Sequence, residues 1–324
     1  SNRYFKRYSY NGSFNLKYNR TVSNNDIGNF FSDPGSVRWS TNWTHSQNLR
    51  KNQSFNVNGS YYSDSQFNQK LGIQRDTRLN QSSVSNATYS KRWPKSNFSF
   101  SSNVSQNTNL MIKSKIDSTS IYYDKPLTPN RKLQESRSAF PTLNFRKGQS
   151  QIFNFPLYLS YNSNFKNNGS GYFESYALDD STYAWGEKQN NYNNSWIHNI
   201  SLSGTSKIFK YISLRPRINF REEWITQYFD ADSINEQGEI LNKRLINKFK
   251  TRHIGSLSLT SNTKLYGLIP LNIGGLKSIR HTITPSVGLS YRPNYTEDNF
   301  GYIKKFYSSN GDIILFDPYQ GTQI

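Results

Sequence analysis

The chain has 324 residues, with 40 Lys and Arg against 21 Asp and Glu and a formal net charge of +19. It contains no cysteine, which excludes a disulfide framework and thiolate metal sites. The mean hydropathy is -0.82 and no run approaches the ~18 apolar residues of a spanning helix, so a helical membrane protein is excluded too.

In chain order, Arg3–Tyr18 alternates, with Tyr8, Tyr10, Phe14, Leu16 and Tyr18 on one parity. Such a period of two predicts a β-strand with one apolar and one wet face. Thr21–Gly35 is a polar loop closed by Asp33-Pro34-Gly35. Val37, Trp39, Trp43 and His45 mark a second strand, and Phe55, Val57, Gly59 and Tyr61 a third. Asp64–Gln81 is a loop, Ser82–Lys91 a fourth strand, and Phe98, Phe100 and Val104 lie on a fifth. Met111–Arg137 is a long connection whose Pro126 and Pro129 exclude a central strand.

Ala139–Phe145 and Phe153–Phe165 are the next strands, joined by a turn at Arg146–Gln151. Lys166–Asn193 reads as a loop, although Tyr172–Leu178 could extend a strand. Trp196, His198, Ile200 and Leu202 mark a strand, followed by a turn at Lys207–Lys210. Tyr211–Trp224 alternates most cleanly, with Ile212, Leu214, Ile218, Phe220 and Trp224 on the even parity and Arg215, Arg217, Asn219, Arg221 and Glu223 on the odd. The loop that follows has room for a short helix at Glu239–Ile246. From Phe249 to Tyr291 the chain predicts an antiparallel hairpin turning near Gly274-Gly275, and Asn294–Tyr319 is loop-like.

About eleven strands result, with short and long connections taking turns. Transmembrane barrels sort their loops this way, and only every second residue of their strands must be apolar. Aromatic residues at 15% suit the girdles of such a barrel better than a disordered chain. The predicted fold is therefore all-β: an antiparallel up-and-down transmembrane β-barrel, present in part. The first residue is Ser and no signal peptide is present, which suggests a fragment.

Motifs for chemistry are few. His45, His198, His253 and His281 each share the apolar parity of their strand, where amphipathic rings belong to the membrane interface rather than to a metal site. No Gly-x-Ser-x-Gly and no His-Glu-x-x-His occurs, and the acidic residues at 230–239 lack EF-hand spacing. No enzyme, cofactor or metal site is expected. Lys and Arg are spread along strand faces without a dense basic block, so no nucleic-acid partner is expected either.

The stretches "TKLYG" at 263–267 and "IRHTITPSVGLSYRPNY" at 279–295 carry a resemblance. So do Gly35–Asn48, Ser90–Asn109 and Lys210–Trp224. In this order they resemble the lipopolysaccharide-assembly outer-membrane protein family, also called the organic solvent tolerance protein family, in its Bacteroidetes-type branch. The resemblance implies an outer-membrane translocon that inserts lipopolysaccharide into the outer leaflet. It implies an upstream periplasmic jellyroll absent from this chain, a plug lipoprotein, periplasmic bridge proteins and membrane lipid as partners. On this reading residues 1–324 are part of one barrel domain. Another large barrel, such as a nutrient receptor or porin, or a secreted adhesin or glycan-binding protein, remain alternatives.

The cations of the wet parity are Arg38, Lys91, Arg215, Arg217, Arg221, Arg252 and Arg280. Among them Arg215, Arg217, Arg221 and Arg280 are the candidates for lumen-facing glycolipid contact. Arginine can hold a phosphate through paired hydrogen bonds, and excess cations raise the potential of a wet cavity.

Overall fold

The computed structural model describes residues 2–3, 10–21, 36–63, 82–112, 128–152, 154–235, 238–308 and 310–319. The expected loops at 22–35 and 64–81, and most of the one at 111–137, lie outside these residues. In chain order the strands begin with β1 (Asn2–Arg3), β2 (Tyr10–Thr21), β3 (Ser36–Arg50), β4 (Gln53–Tyr62), β5 (Ser82–Trp93) and β6 (Phe98–Asn109). The two longest follow: β7 (Lys132–Gln151), with 20 residues, and β8 (Leu157–Ala177), with 21. Next come β9 (Tyr183–Trp185), β10 (Gln189–Gly204), β11 (Ser206–Ile208) and β12 (Ile212–Ile225). A long connection then holds β13 (Tyr228–Asp230), β14 (Ser233–Ile234), β15 (Ile240–Leu241) and β16 (Arg244–Ile246). The rest are β17 (Lys250–Thr263), β18 (Leu265–Ile273), β19 (Leu276–Ile283), β20 (Ser286–Tyr291), β21 (Lys304–Tyr307) and β22 (Ile313–Phe316).

One sheet runs β1 to β8 in sequence order and then through β10, β12, β17 and β20. Next-neighbour antiparallel pairing is the up-and-down pattern, and the path holds eleven strands besides the two-residue β1. The fold is all-β. Several expectations need correction, among them a connection running to Arg137, since β7 begins at Lys132. The stretch 166–193 is not mainly loop, because β8 continues to Ala177 and β10 begins at Gln189. Arg146–Gln151 is strand, and the chain turns after it. Glu239–Ile246 holds β15 and β16 rather than a helix; each pairs with a strand from the start of the same connection.

The hairpin expected near the end of the chain forms as two paired segments. β17 pairs with β20 from Leu257↔Tyr291 to Asn262↔Ser286, and β18 pairs with β19 from Leu265↔Ile283 to Pro270↔Ser278 in the same register, which shifts by one at Ile273↔Leu276. Between the two segments Lys264 and Thr284-Pro285 interrupt the ladder, since Pro285 has no N–H to give it. Gly274 and Gly275 both take positive φ, 56° and 92°, as the two-residue I′ hairpin turn requires.

The chain divides into two compact units. The first comprises Ser1–Trp93, Phe100–Asn144 and Phe165–Asn194. Its apolar parity is exposed, as at Phe14, Leu16, Trp39 and Tyr61. Its other parity is stitched by amides and hydroxyls: Asn103 donates to Asn86 at 2.6 Å and to Thr88 at 2.8 Å.

The second unit comprises Pro94–Ser99, Phe145–Asn164 and Ser195–Ile324. Its apolar parity carries Leu202, Ile218, Leu257 and Leu289, paired across the ladders. An oblique stripe of rings crosses this face: Phe98 on Phe145 at 5.3 Å, Phe145 on Tyr161 at 6.1 Å, Tyr161 on His198 at 6.1 Å and His198 on Trp224 at 4.8 Å. All four histidines sit on the expected parity; His198 and His253 both face Glu222, and His45 and His281 face Gly12 and Gly267. The buried apolar side chains lie at the long-loop end of this unit: Ile225, Ala231, Ile254, Tyr295, Phe316 and Tyr319.

Candidate functional site

The site is the wet parity of β8, β10, β12 and β17. Pairing fixes which residues share it. Arg221 lies between Asn199 and Ile254, Asn219 between Ser201 and Ser256, and Arg217 between Ser203 and Ser258. Arg215 faces Thr260. Alternation alone puts these groups on one face, opposite Leu202, Ile218 and Leu257.

Two cavities open on this face. The larger, about 620 Å³, is lined by Arg146, Asn162, Asn199, Asn219, Arg221 and Arg292 among others. The smaller, about 350 Å³, lies toward the short turns and holds Gln149, Arg215, Arg217, Ser258 and Thr260. Among the described residues no carboxylate lines either cavity. Arg215, Arg217, Arg146 and Arg292 are exposed, and Arg221 is half-buried. Cations set among hydroxyls and amides give a wet surface of positive potential that can hold an anion.

Beyond Arg221, toward the long loops, the face changes character. Glu223 is fully buried and pairs with Arg221 and with Arg252, whose Nη2 lies 2.6 Å from Oε2. Arg252 Nη1 reaches Asp317 at 3.3 Å. The segment 292–319 folds over this end as a strap. It contains β21 and β22, which pair from Lys304↔Phe316 to Tyr307↔Ile313.

Three tyrosines of the strap engage the edge of β17 where β20 no longer reaches. The His253 N–H donates to the Tyr302 hydroxyl at 2.9 Å. Tyr295 donates to the Gly255 carbonyl at 2.9 Å and also accepts from the Gly255 N–H. Tyr319 donates to the Thr251 carbonyl, and burial pushes its hydroxyl pKa up. Lys304 and Arg244 both bind Asp230, at 3.2 and 2.9 Å, with Arg244 the larger influence holding that carboxyl below the usual range.

Arg215, Arg217 and Arg221 are thus brought together, whereas Arg280 stands apart. It shares their parity through the ladder, but Gly288, which faces Thr260, is eight residues further along the chain than Arg280. At ~3.3 Å per residue the separation is roughly 26 Å. Arg280 instead covers the Tyr266 ring at 4.4 Å, on a hairpin that continues past Ile212. Arg38 lies on the wet parity of β3, opposite Asn19. Lys91 does not: it shares the face of Tyr89, and its Nζ sits 4.8 Å over the Trp93 ring. Its strand changes from small polar residues to Tyr89 and Trp93 on the odd parity, and the reading that put Lys91 with the wet residues is corrected by the pairing of Phe55 with Tyr89.

Sequence reasoning missed Arg146 and Arg292. Arg146 fell in an expected turn, yet it follows Phe145, whose ring belongs to the apolar stripe, so parity alone assigned it. Arg292 continues the even series Ser286, Gly288, Ser290. The strap itself had no periodic signal.

No curated protein matches the chain. The family described as LptD protein matches it over residues 1–324. The match takes in the cation-bearing strands, the strap and the apolar face alike, and the chain belongs to the LptD protein family.

Proposed function

We propose that this chain forms part of an outer-membrane barrel that moves lipopolysaccharide toward the outer leaflet, with the wet parity of β8, β10, β12 and β17 as the surface that meets its phosphorylated head. The LptD family serves lipopolysaccharide transport and outer-membrane assembly. The observation that supports a role for this face is the row of cations in two cavities that no carboxylate of the described residues lines, Arg146, Arg292 and the Glu223-paired Arg221 in one and Arg215 and Arg217 in the other. Guanidinium groups pair with phosphate through two parallel hydrogen bonds, so a phosphorylated sugar could pass from one arginine to the next. The exposed apolar parity meets membrane lipid on this reading, since an apolar surface of this extent is otherwise costly in water.

The proposal includes the partners the family reading implies: a plug lipoprotein, periplasmic bridge proteins and a periplasmic jellyroll domain belonging to the same system. It assigns no catalytic residue. Arg280 enters as a contact on the short-turn side, apart from the two cavities.

Photo-crosslinking of lipopolysaccharide to probes at positions 215, 217, 221 and 280 of the full-length protein tests it. Crosslinks at the first three, with few at the opposite-face positions 214 and 218, are expected. Crosslinks confined to 214 and 218 would reject the reading.

A further inference from the structure

A third cavity lies on the other parity, wholly within the first unit. It is a groove of about 360 Å³ that no part of the proposed transport path uses. One end is apolar, formed by Trp43, Val57, Ala87 and Val104. The other is polar, formed by Ser136, Ser138, Asn190 and Lys188. Two glycines open its floor. A Cβ on Gly169 would collide with the Ser138 hydroxyl and the Tyr192 ring, and one on Gly171 with the Ser136 hydroxyl and the Lys188 chain. The Lys188 ammonium is already paired with the buried carboxylate of Glu135, so the polar end offers hydroxyls, an amide and the exposed rings of Phe140 and Tyr192 rather than a free charge.

The polarity follows the strands. Val104 is six residues from Phe98, where β6 leaves its short turn, and Gly171 is fourteen from Leu157, where β8 begins. At ~3.3 Å per residue and a tilt of ~45°, these positions stand about 14 and 33 Å above the short turns. The hydrocarbon core is ~30 Å thick, so the apolar end lies within it and the polar end just past it on the long-loop side. That gradient has the orientation of a lipid in the outer leaflet, chain inward and head outward.

We propose that this groove binds one outer-leaflet glycolipid, its acyl chain along Val57, Ala87 and Val104 and its hydroxyl-rich head against Ser136, Ser138 and Tyr192. The inference rests on the reading above for which face meets lipid and which loops are external. It concerns a resident lipid on the outside of the sheet, not cargo on the wet face.

Native mass spectrometry of the full-length protein in detergent tests it, with galactosyl diacylglycerol, lipid A and phosphatidylglycerol added separately. Wild type should retain one glycolipid and little phosphatidylglycerol. Retention of galactosyl diacylglycerol alone would identify a neutral sugar head, and retention of both glycolipids a sugar head regardless of phosphate. Gly169→Phe, which fills the polar end, and Val104→Trp, which fills the apolar end from a half-buried strand position, should each lower retention about tenfold. Arg217→Glu should leave retention of galactosyl diacylglycerol, which carries no phosphate, unchanged. Equal retention in wild type and both filled variants would overturn the proposal, as would equal retention of phosphatidylglycerol. Loss on Arg217→Glu alone would place the lipid on the wet face instead, overturning the groove while favouring the transport reading.

Discussion

Glu223 and Arg252 face each other across the β12–β17 ladder with neither side chain reaching solvent, their charges 2.6 Å apart. Two charges out of water are stable only as a pair with their remaining hydrogen bonds satisfied. Here Arg252 Nε adds a 2.8 Å bond to the same carboxylate, and Asp317 takes the other arm. Glu223→Ala leaves the buried Arg252 with Asp317 alone and should cost ~3–5 kcal/mol, read as a lower urea midpoint in detergent. Replacing both partners together, Glu223→Leu with Arg252→Met, should cost far less than either change alone.

Ile218 tests which face meets lipid. It is half exposed, pairs with Leu202 and Leu257, and lies opposite in parity to Arg217. Ile218→Arg should destabilise the reconstituted protein by ~2–4 kcal/mol if the position is near the bilayer midplane. Ser258→Arg, on the wet parity of the next strand, should cost little. Equal refolding stability of the two variants in lipid vesicles would contradict the assignment.

The turn between β11 and β12 carries strain. Phe209 and Lys210 both adopt positive φ, 50° and 66°, although neither is Gly or Asn. A left-handed conformation costs an ordinary residue ~1–2 kcal/mol. Lys210→Gly should therefore raise stability by about 1 kcal/mol, visible as a higher unfolding midpoint, with no change in the neighbouring Ile208↔Ile212 pair.

Asp179, in the loop between β8 and β9, accepts bonds from the Thr182 and Ser181 side chains and from both backbone N–H groups. Led by the Thr182 hydroxyl, these lower its pKa to about 2. A depressed carboxyl stabilises the loop above its unfolded pKa, ~3.9, and that contribution is lost as pH falls through the folded value. Carboxyl-detected NMR should place the midpoint near the lowered value, and Thr182→Ala should move it up toward the ordinary range. An unmoved midpoint would show that the hydroxyl is not the cause.

Most of the ladder was readable because burial of one face forces a period of two. Phe14, Leu16 and Tyr18, or Ile218 and Phe220, announce both the strand and the side they take. The same rule set Arg215, Arg217 and Arg221 together. It failed where neither face needs to be apolar: the far ends of β7 and β8 and the start of β10 carry Asn, Ser, Gly and Lys on both sides and read as loop. It also failed for the strap. Tyr319 meets Thr251 across 68 positions and Asp317 meets Arg252 across 65, and a local pattern carries no trace of such contacts. Arg280 illustrates a third limit: parity assigns a face, but only the register shows how far along that face the residue lies.

The hydroxyl caps on β17 set a clock for this end of the sheet. Amides paired strand to strand exchange with solvent water only when the ladder opens. The amide hydrogens of His253 and Gly255 are instead held by single side chains, Tyr302 and Tyr295. They should exchange with deuterium each time the strap lifts, at a rate separable from that of the β12-facing amides next to them. Loosening its anchor with Asp317→Ala should speed these two sites while the interior ladder keeps its protection, so two backbone protons report on whether the long-loop end of the wet face is covered.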